Sequence, residues 1–128
     1  MKALEIKNLT KIYDNNLVAL DDISFEVEQG DFYALLGPNG AGKSTMIGII
    51  SSLVNKSSGK VNILGLDIDT HHSEAKKRIG IVGQEVNFNQ FETVHHILLH
   101  QAGFFGMPFS EIKNNCELVL KIFFLKLW

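Results

Sequence analysis

One stretch, Gly37-Pro38-Asn39-Gly40-Ala41-Gly42-Lys43-Ser44-Thr45, constrains the fold more than any other part of the chain. It fits G-x-x-x-x-G-K-[ST] at every required position, the pattern of a phosphate-binding P-loop. The apolar run Phe32-Tyr33-Ala34-Leu35-Leu36 before it predicts a short strand buried on both faces. After it, Met46, Ile47, Ile49, Ile50 and Leu53 recur at helical spacing and predict a helix over 43–53. Strand, glycine loop and helix in that order are the context the motif needs. Glycines let the backbone curl and aim its N–H groups inward, toward phosphate oxygens. Lys43 is then the partner of the β- and γ-phosphates, and the Ser44 hydroxyl a ligand for Mg²⁺. The plain alternative is a glycine-rich turn with no ligand, but such a turn has no use for the Lys43-Ser44 pair.

At 128 residues the chain has the size of one domain, and 45% hydrophobic with 20% charged residues is ordinary for a globular protein. A formal net charge of -2 gives no electrostatic case for a nucleic-acid partner. The lone Cys116 excludes an internal disulfide, fits a reducing compartment, and reads as a small apolar residue on a helix face. No apolar run reaches membrane-spanning length, and the N-terminus does not read as a signal peptide. The expected location is the cytoplasm, or the inner face of the cell membrane as a peripheral component.

In chain order, Leu4, Ile6 and Leu9 alternate with polar residues and predict a first strand, and Tyr13-Asp14-Asn15-Asn16 a turn. Ile23, Phe25 and Val27 predict a second, half-exposed strand closed at Gly30. Residues 60–64 read as a strand ended by Gly65, 73–78 as a short polar helix, and 79–82 as another short strand. Thr93 is the expected N-cap of a helix carrying Ile97, Leu98, Ala102 and Phe105. Ser110 is the expected cap of the next helix, whose apolar face is Ile112, Cys116, Val119, Leu120 and Phe123.

With these pieces placed, the sequence resembles the ATP-binding subunit of ATP-binding-cassette (ABC) transporters, of the exporter (ABC-2) type that pairs with a separate membrane subunit. Residues 30–45 carry the resemblance, which extends from about Leu4 to about Leu120 and covers the N-terminal half of the family's domain. It implies an α/β P-loop NTPase fold: a mostly parallel sheet around the P-loop, an antiparallel β subdomain, and a helical subdomain. Residues 1–128 would be the N-terminal part of that nucleotide-binding domain. Matched by position, Tyr13 implies the ring that stacks on adenine, and every base offers a π-face for such stacking. Val18 would pad sugar and base. Gly37, Pro38, Asn39, Gly40, Ala41 and Gly42 form the loop, with Lys43, Ser44 and Thr45 on phosphates and Mg²⁺. Gln84 matches the glutamine of the loop between subdomains, which in the family touches Mg²⁺ and the attacking water and moves with the membrane subunit. Gly83 stands where many relatives carry proline. The implied cofactors are ATP and Mg²⁺. The implied partners are a membrane-spanning subunit and a second ATP-binding subunit.

The resemblance also implies parts that do not follow Gln84 here: a Ser-Gly-Gly signature, an apolar strand ending in Asp-Glu, and a switch histidine. Ile63-Leu64-Gly65-Leu66-Asp67 is an apolar run ending in Asp, but it lies too close behind the P-loop helix and lacks the Glu, so Asp67 reads as a turn residue. Ser58-Gly59 likewise reads as a loop. His96 and His100 are spaced to share a helix face, yet no Glu directly follows the first histidine as a metalloprotease requires. The apolar tail 121–128 is what a premature stop or a small frameshift would leave. Two other classes remain open. One is another P-loop enzyme, although Asn55-Lys56-Ser57-Ser58 lacks the Asp of a guanine motif and no arginine cluster follows the P-loop as a kinase lid would need. The other is a non-catalytic product that binds a partner or does not fold stably.

Overall fold

The structure, a computed structural model, describes residues 1–83, 89 and 91–123. It divides into two compact units, Met1–Ile81 and Val82–Trp128.

The first unit is built on an antiparallel four-stranded sheet of order β2-β1-β3-β4. Its strands are β1 (Lys2–Ile12), β2 (Val18–Glu28), β3 (Ser58–Ile63) and β4 (Leu66–Asp67). β1 lies inside the sheet because it pairs on one edge with β2 (Ile6 opposite Phe25) and on the other with β3 (Ile6 opposite Val61). Alternation sends Ile6, Leu20, Val61 and Ile63 to one face, where Leu9, Ile68 and Ala75 join them. Helix α1 (Lys43–Ile50) covers that face with Met46 and Ile49. Ile6, Leu9, Ile49 and Val61 are the largest fully buried side chains. α2 (His72–Lys76) is a single short turn that buries Ala75.

Two apolar runs expected as strands are not strands. Residues 32–36 and 79–82 carry no strand pairing. Phe32 is 97% and Leu36 90% exposed, whereas Leu35 and Ile79 pack against the core. A strand exists only where a neighbour takes its N–H and C=O groups. Among the described residues all sheet pairing is taken up by the four antiparallel strands. Tyr33 instead stacks on Phe25, with ring centroids 5.0 Å apart and planes 4° from parallel.

α1 is also shorter than its apolar spacing predicts. The chain leaves the helix through Ser52 at φ 59°, with Ser52 N–H donating to Ile49 O (3.0 Å) and Leu53 N–H to Gly48 O (2.8 Å). That pair of bonds is a Schellman stop, which satisfies the last carbonyls and throws Leu53 outward. Ser58-Gly59 opens β3 rather than forming a loop, and Gly59 (φ 92°) lets β3 pass against Leu9.

In the second unit, Thr93 caps α3 (Val94–Phe104), its hydroxyl accepting from His96 N–H at 3.3 Å. α4 (Phe109–Ile122) begins before the expected cap Ser110, because Pro108, with φ fixed at -59°, takes the N-cap position. Ile112, Cys116 and Leu120 form its buried stripe, one helical turn apart, while Val119 and Phe123 lie on its exposed side.

Candidate functional site

The P-loop is held between the start of β2 and the first turn of α1. Gly42 is the N-cap of α1, at φ 79° and ψ 0°. A side chain there would be strained by the left-handed backbone. It would also have no room, since a Cβ would run into the carbonyl oxygen of Ala19 and lie 2.7 Å from Leu20 Cδ2. Gly40, also at positive φ (86°), has nothing within 4 Å of a Cβ position. The first therefore serves conformation and packing together, the second conformation alone.

Gly42 has no side chain with which to cap α1, so no side-chain bond satisfies the first-turn N–H groups. Those groups and the positive end of the helix dipole favour an anion. Ala41 N–H donates to Pro38 O at 3.2 Å, closing the loop on itself, and Met46 N–H donates to Gly42 O at 2.9 Å as the helix begins. The Lys43 ammonium folds back over the loop and donates to the carbonyls of Gly37 and Pro38, each at 2.7 Å. Among the described residues no carboxylate lies within ion-pair reach of it. A positive charge held by two neutral carbonyls, beside helix N–H groups without a side-chain cap, suits a polyphosphate. Ser44 follows directly as the second helical residue, and it is the one hydroxyl of this turn without a partner among the described bonds.

Tyr13 reaches the same helix. Its hydroxyl lies 3.3 Å from Thr45 Oγ1. Its backbone closes the turn between β1 and β2, donating to Leu17 O (3.0 Å) and accepting from Asn16 N–H (2.9 Å). The Lys11 ammonium sits 4.8 Å from the centre of the Tyr13 ring. Val18, the first residue of β2, is exposed.

The structure thus gathers Tyr13, residues 37–42, Lys43, Ser44 and Thr45 at one end of the first unit. Gln84 lies outside the described residues.

The profile described as "ABC transporter" matches residues 20–124. The chain belongs to the ABC transporter family. Members of that family bind ATP with Mg²⁺. The linearmycin resistance ATP-binding protein LnrL of Bacillus subtilis (strain 168) is 37% identical over 118 residues, 92% of this chain and 38% of its own length. The Nod factor export ATP-binding protein I of Mesorhizobium japonicum is 37% identical over 105 residues, 82% of this chain and 31% of its own. Among solved structures, the post-hydrolysis dimer of the ATP-binding cassette MJ0796 bound to ADP and Pi superposes with TM-score 0.74 at 29% identity. That match covers 96% of this chain and 58% of the cassette. The chain spans 38% and 31% of the length of these two curated relatives, about a third. The partial ABC ATPase fold, antiparallel sheet and helices around a P-loop, is therefore shown, although the parallel strands flanking the P-loop are not formed by the described residues.

Two features of this ABC transporter site escaped the sequence. One is the Lys11 ammonium over Tyr13. Its signal was the two-residue spacing between a lysine and an aromatic residue at the strand end. The other is the packing of Gly42 against Ala19, for which no local signal exists. The remaining candidates are decoys. Asp67 lies in β4, and its carboxylate accepts from Asp69 N–H at 2.8 Å. His100 does have a carboxylate beside it, Glu92 Oε2 at 3.1 Å from Nδ1, but no group of three potential metal ligands forms among the described residues. No described helix is long and apolar enough to cross a membrane.

Proposed function

We propose that this chain binds MgATP as the ATP-binding part of an exporter-type ABC transporter. The observation that carries the reading is Lys43, whose ammonium is held in the P-loop, among the described residues, by the Gly37 and Pro38 carbonyls, next to an α1 without a side-chain cap. On binding, Lys43 exchanges those neutral acceptors for anionic phosphate oxygens, a stronger charge-assisted pairing. The α1 N–H groups and the Thr45 hydroxyl take further phosphate oxygens, Ser44 takes Mg²⁺, and Tyr13 carries the adenine with Val18 at its border. Gln84 serves the metal and the attacking water. The resistance and export roles named for the relatives support transport out of the cell. A membrane-spanning subunit and a second ATP-binding subunit are the partners in this reading, placing the chain at the inner face of the membrane. The dimeric form of the MJ0796 cassette supports the second of them.

Binding and turnover separate in this proposal. P-loop catalysis is mostly positioning and charge stabilisation around the γ-phosphate. Lys43, Ser44 and Gln84 provide part of that constellation. Among the described residues no carboxylate has been identified to support Mg²⁺ or polarise water. The chain by itself therefore binds MgATP without hydrolysing it. Calorimetric titration with MgATP tests the first half and steady-state phosphate release the second, with Lys43→Ala as the control for both. Binding lost in Lys43→Ala, with phosphate release equal in the two proteins, is the expected result. Equal binding would overturn the site assignment, and release well above the control would reveal a catalytic carboxylate within this chain.

A further inference from the structure

The Tyr13 ring has two faces, and the structure accounts for one of them. Lys11 is the next-to-last residue of β1, and Tyr13 is the first residue of the turn that follows it. The Lys11 ammonium stands 4.8 Å from the ring centre. Among the described residues it has no carboxylate within ion-pair distance. The ring is thus the partner its charge has found, attracted by the negative face of the π-system. Across the ring, the phenol hydroxyl is tied to Thr45 Oγ1 on the first turn of α1. A ring gripped at one face and at its tip has little freedom left. Tyr13 is 36% exposed, so part of the side chain stays open to a ligand.

We propose that Lys11 is a positioning residue for the nucleobase: it covers one face of Tyr13 and leaves the opposite face as the adenine platform. The proposal rests on the reading of Tyr13 as the adenine-stacking ring. Two effects act together. The ring is ordered before the base arrives, so binding loses less side-chain freedom. The cation also draws electron density toward its own face, which lowers the repulsion between two stacked π-clouds on the other. Neither effect reaches the phosphates. Lys11 therefore differs from Lys43: it discriminates nucleotide from bare polyphosphate, whereas Lys43 holds both.

The test is equilibrium titration of the full chain with MgATP and, separately, with magnesium tripolyphosphate, which has the phosphates without the base. Lys11→Met keeps the length of the side chain and removes the charge. We expect its Kd for ATP to rise roughly two- to five-fold, the value of an exposed cation–π contact. Its Kd for tripolyphosphate should stay unchanged, and Lys11→Arg should restore ATP binding. An unchanged tripolyphosphate Kd also reports that the P-loop is intact in the variant. An equal loss for both ligands would show Lys11 acting as a general phosphate charge and overturn the proposal, as would no loss for ATP. The Tyr13→Leu background separates the two levels of the argument. If Tyr13→Leu alone leaves ATP binding intact, the stacking role of Tyr13 falls. If Tyr13→Leu weakens ATP binding but Lys11→Met does not, only the assignment of Lys11 falls.

Discussion

The hydroxyl of Tyr13 lies 3.3 Å from Thr45 Oγ1, joining the turn after β1 to the first turn of α1. The residue expected on the base and a residue expected on the phosphates are thus linked side chain to side chain. In the proposed function, a Thr45 hydroxyl recruited to a phosphate oxygen would release the Tyr13 hydroxyl and leave its ring to the base.

A substitution series at these positions should rank by chemistry. Losing Lys43 leaves multiply charged phosphates without their ammonium, and truncating one member of such a pair costs about 2–5 kcal/mol. Losing a stacking ring costs about 1–3 kcal/mol. ATP titration should give the largest loss for Lys43→Ala and a smaller one for Tyr13→Ala. Tyr13→Phe should show the least, because it keeps the ring and drops only the bond to Thr45. A reversed order would remove the assigned roles.

The two P-loop glycines should differ in stability. Gly40→Ala meets only backbone strain, about 1–2 kcal/mol for a left-handed residue. Gly42→Ala meets that strain and also the Ala19 carbonyl and Leu20. Urea unfolding should place Gly42→Ala clearly below Gly40→Ala, and equal midpoints would mean that β2 does not bear on the loop.

Acid should weaken the sheet through Glu5. Lys2 holds its carboxylate first of all, with Lys7 and the Asn62 amide also bonded to it, and together they lower its pKa from an ordinary 4.5 to about 2. The ammonium of Lys2 lies 2.8 Å and that of Lys7 2.9 Å from Glu5 Oε1. A carboxyl lowered on folding stabilises the native state above its unfolded pKa and loses that contribution as pH falls through the folded one. The stability difference between wild type and Glu5→Gln should be constant above about pH 4.5 and shrink toward pH 2. A difference that grew on acidification would contradict the ion cluster.

Exposed and buried apolar residues should part company. Ile6→Ala empties a fully buried site and should cost about 2–5 kcal/mol. Phe32→Ser and Leu36→Ser alter residues open to solvent and should stay within about 0.5 kcal/mol. They should also reduce light scattering at high concentration, since exposed apolar patches promote association. A large loss of stability at Phe32 would show that residues 32–36 are paired after all.

The parts of this fold that were legible in the sequence are those whose partners are near in the chain. β1 and β2 alternate because each has one wet face, and a short turn joins them. Thr93 is readable because a cap contacts a residue three places on. The P-loop carries its chemistry in its letters. Residues 32–36 mislead because an apolar run says that a segment will be buried if a neighbour comes, not that one does. Ser52 and Pro108 moved helix ends for reasons of φ that apolar spacing does not register. Within the site, Tyr13 and Thr45 were each marked, but their contact was not, since 31 residues of chain lie between them.

The order of the strands has a kinetic side. β1 pairs with β2 across a tight turn, but with β3 only after the chain has run through the P-loop and α1. Hairpins of the first kind close in about 1–10 μs. The second pairing must shut a long loop against chain entropy, a barrier that rises slowly with length but precedes any reward. The P-loop and α1 lie within that long loop, and α1 packs Met46 and Ile49 into a core shared with Val61 and Ile63 of β3, so the helix that carries the P-loop is seated only when β3 arrives. Competence for nucleotide should therefore appear in refolding with the slower phase. ATP in the buffer should slow unfolding without hastening the hairpin.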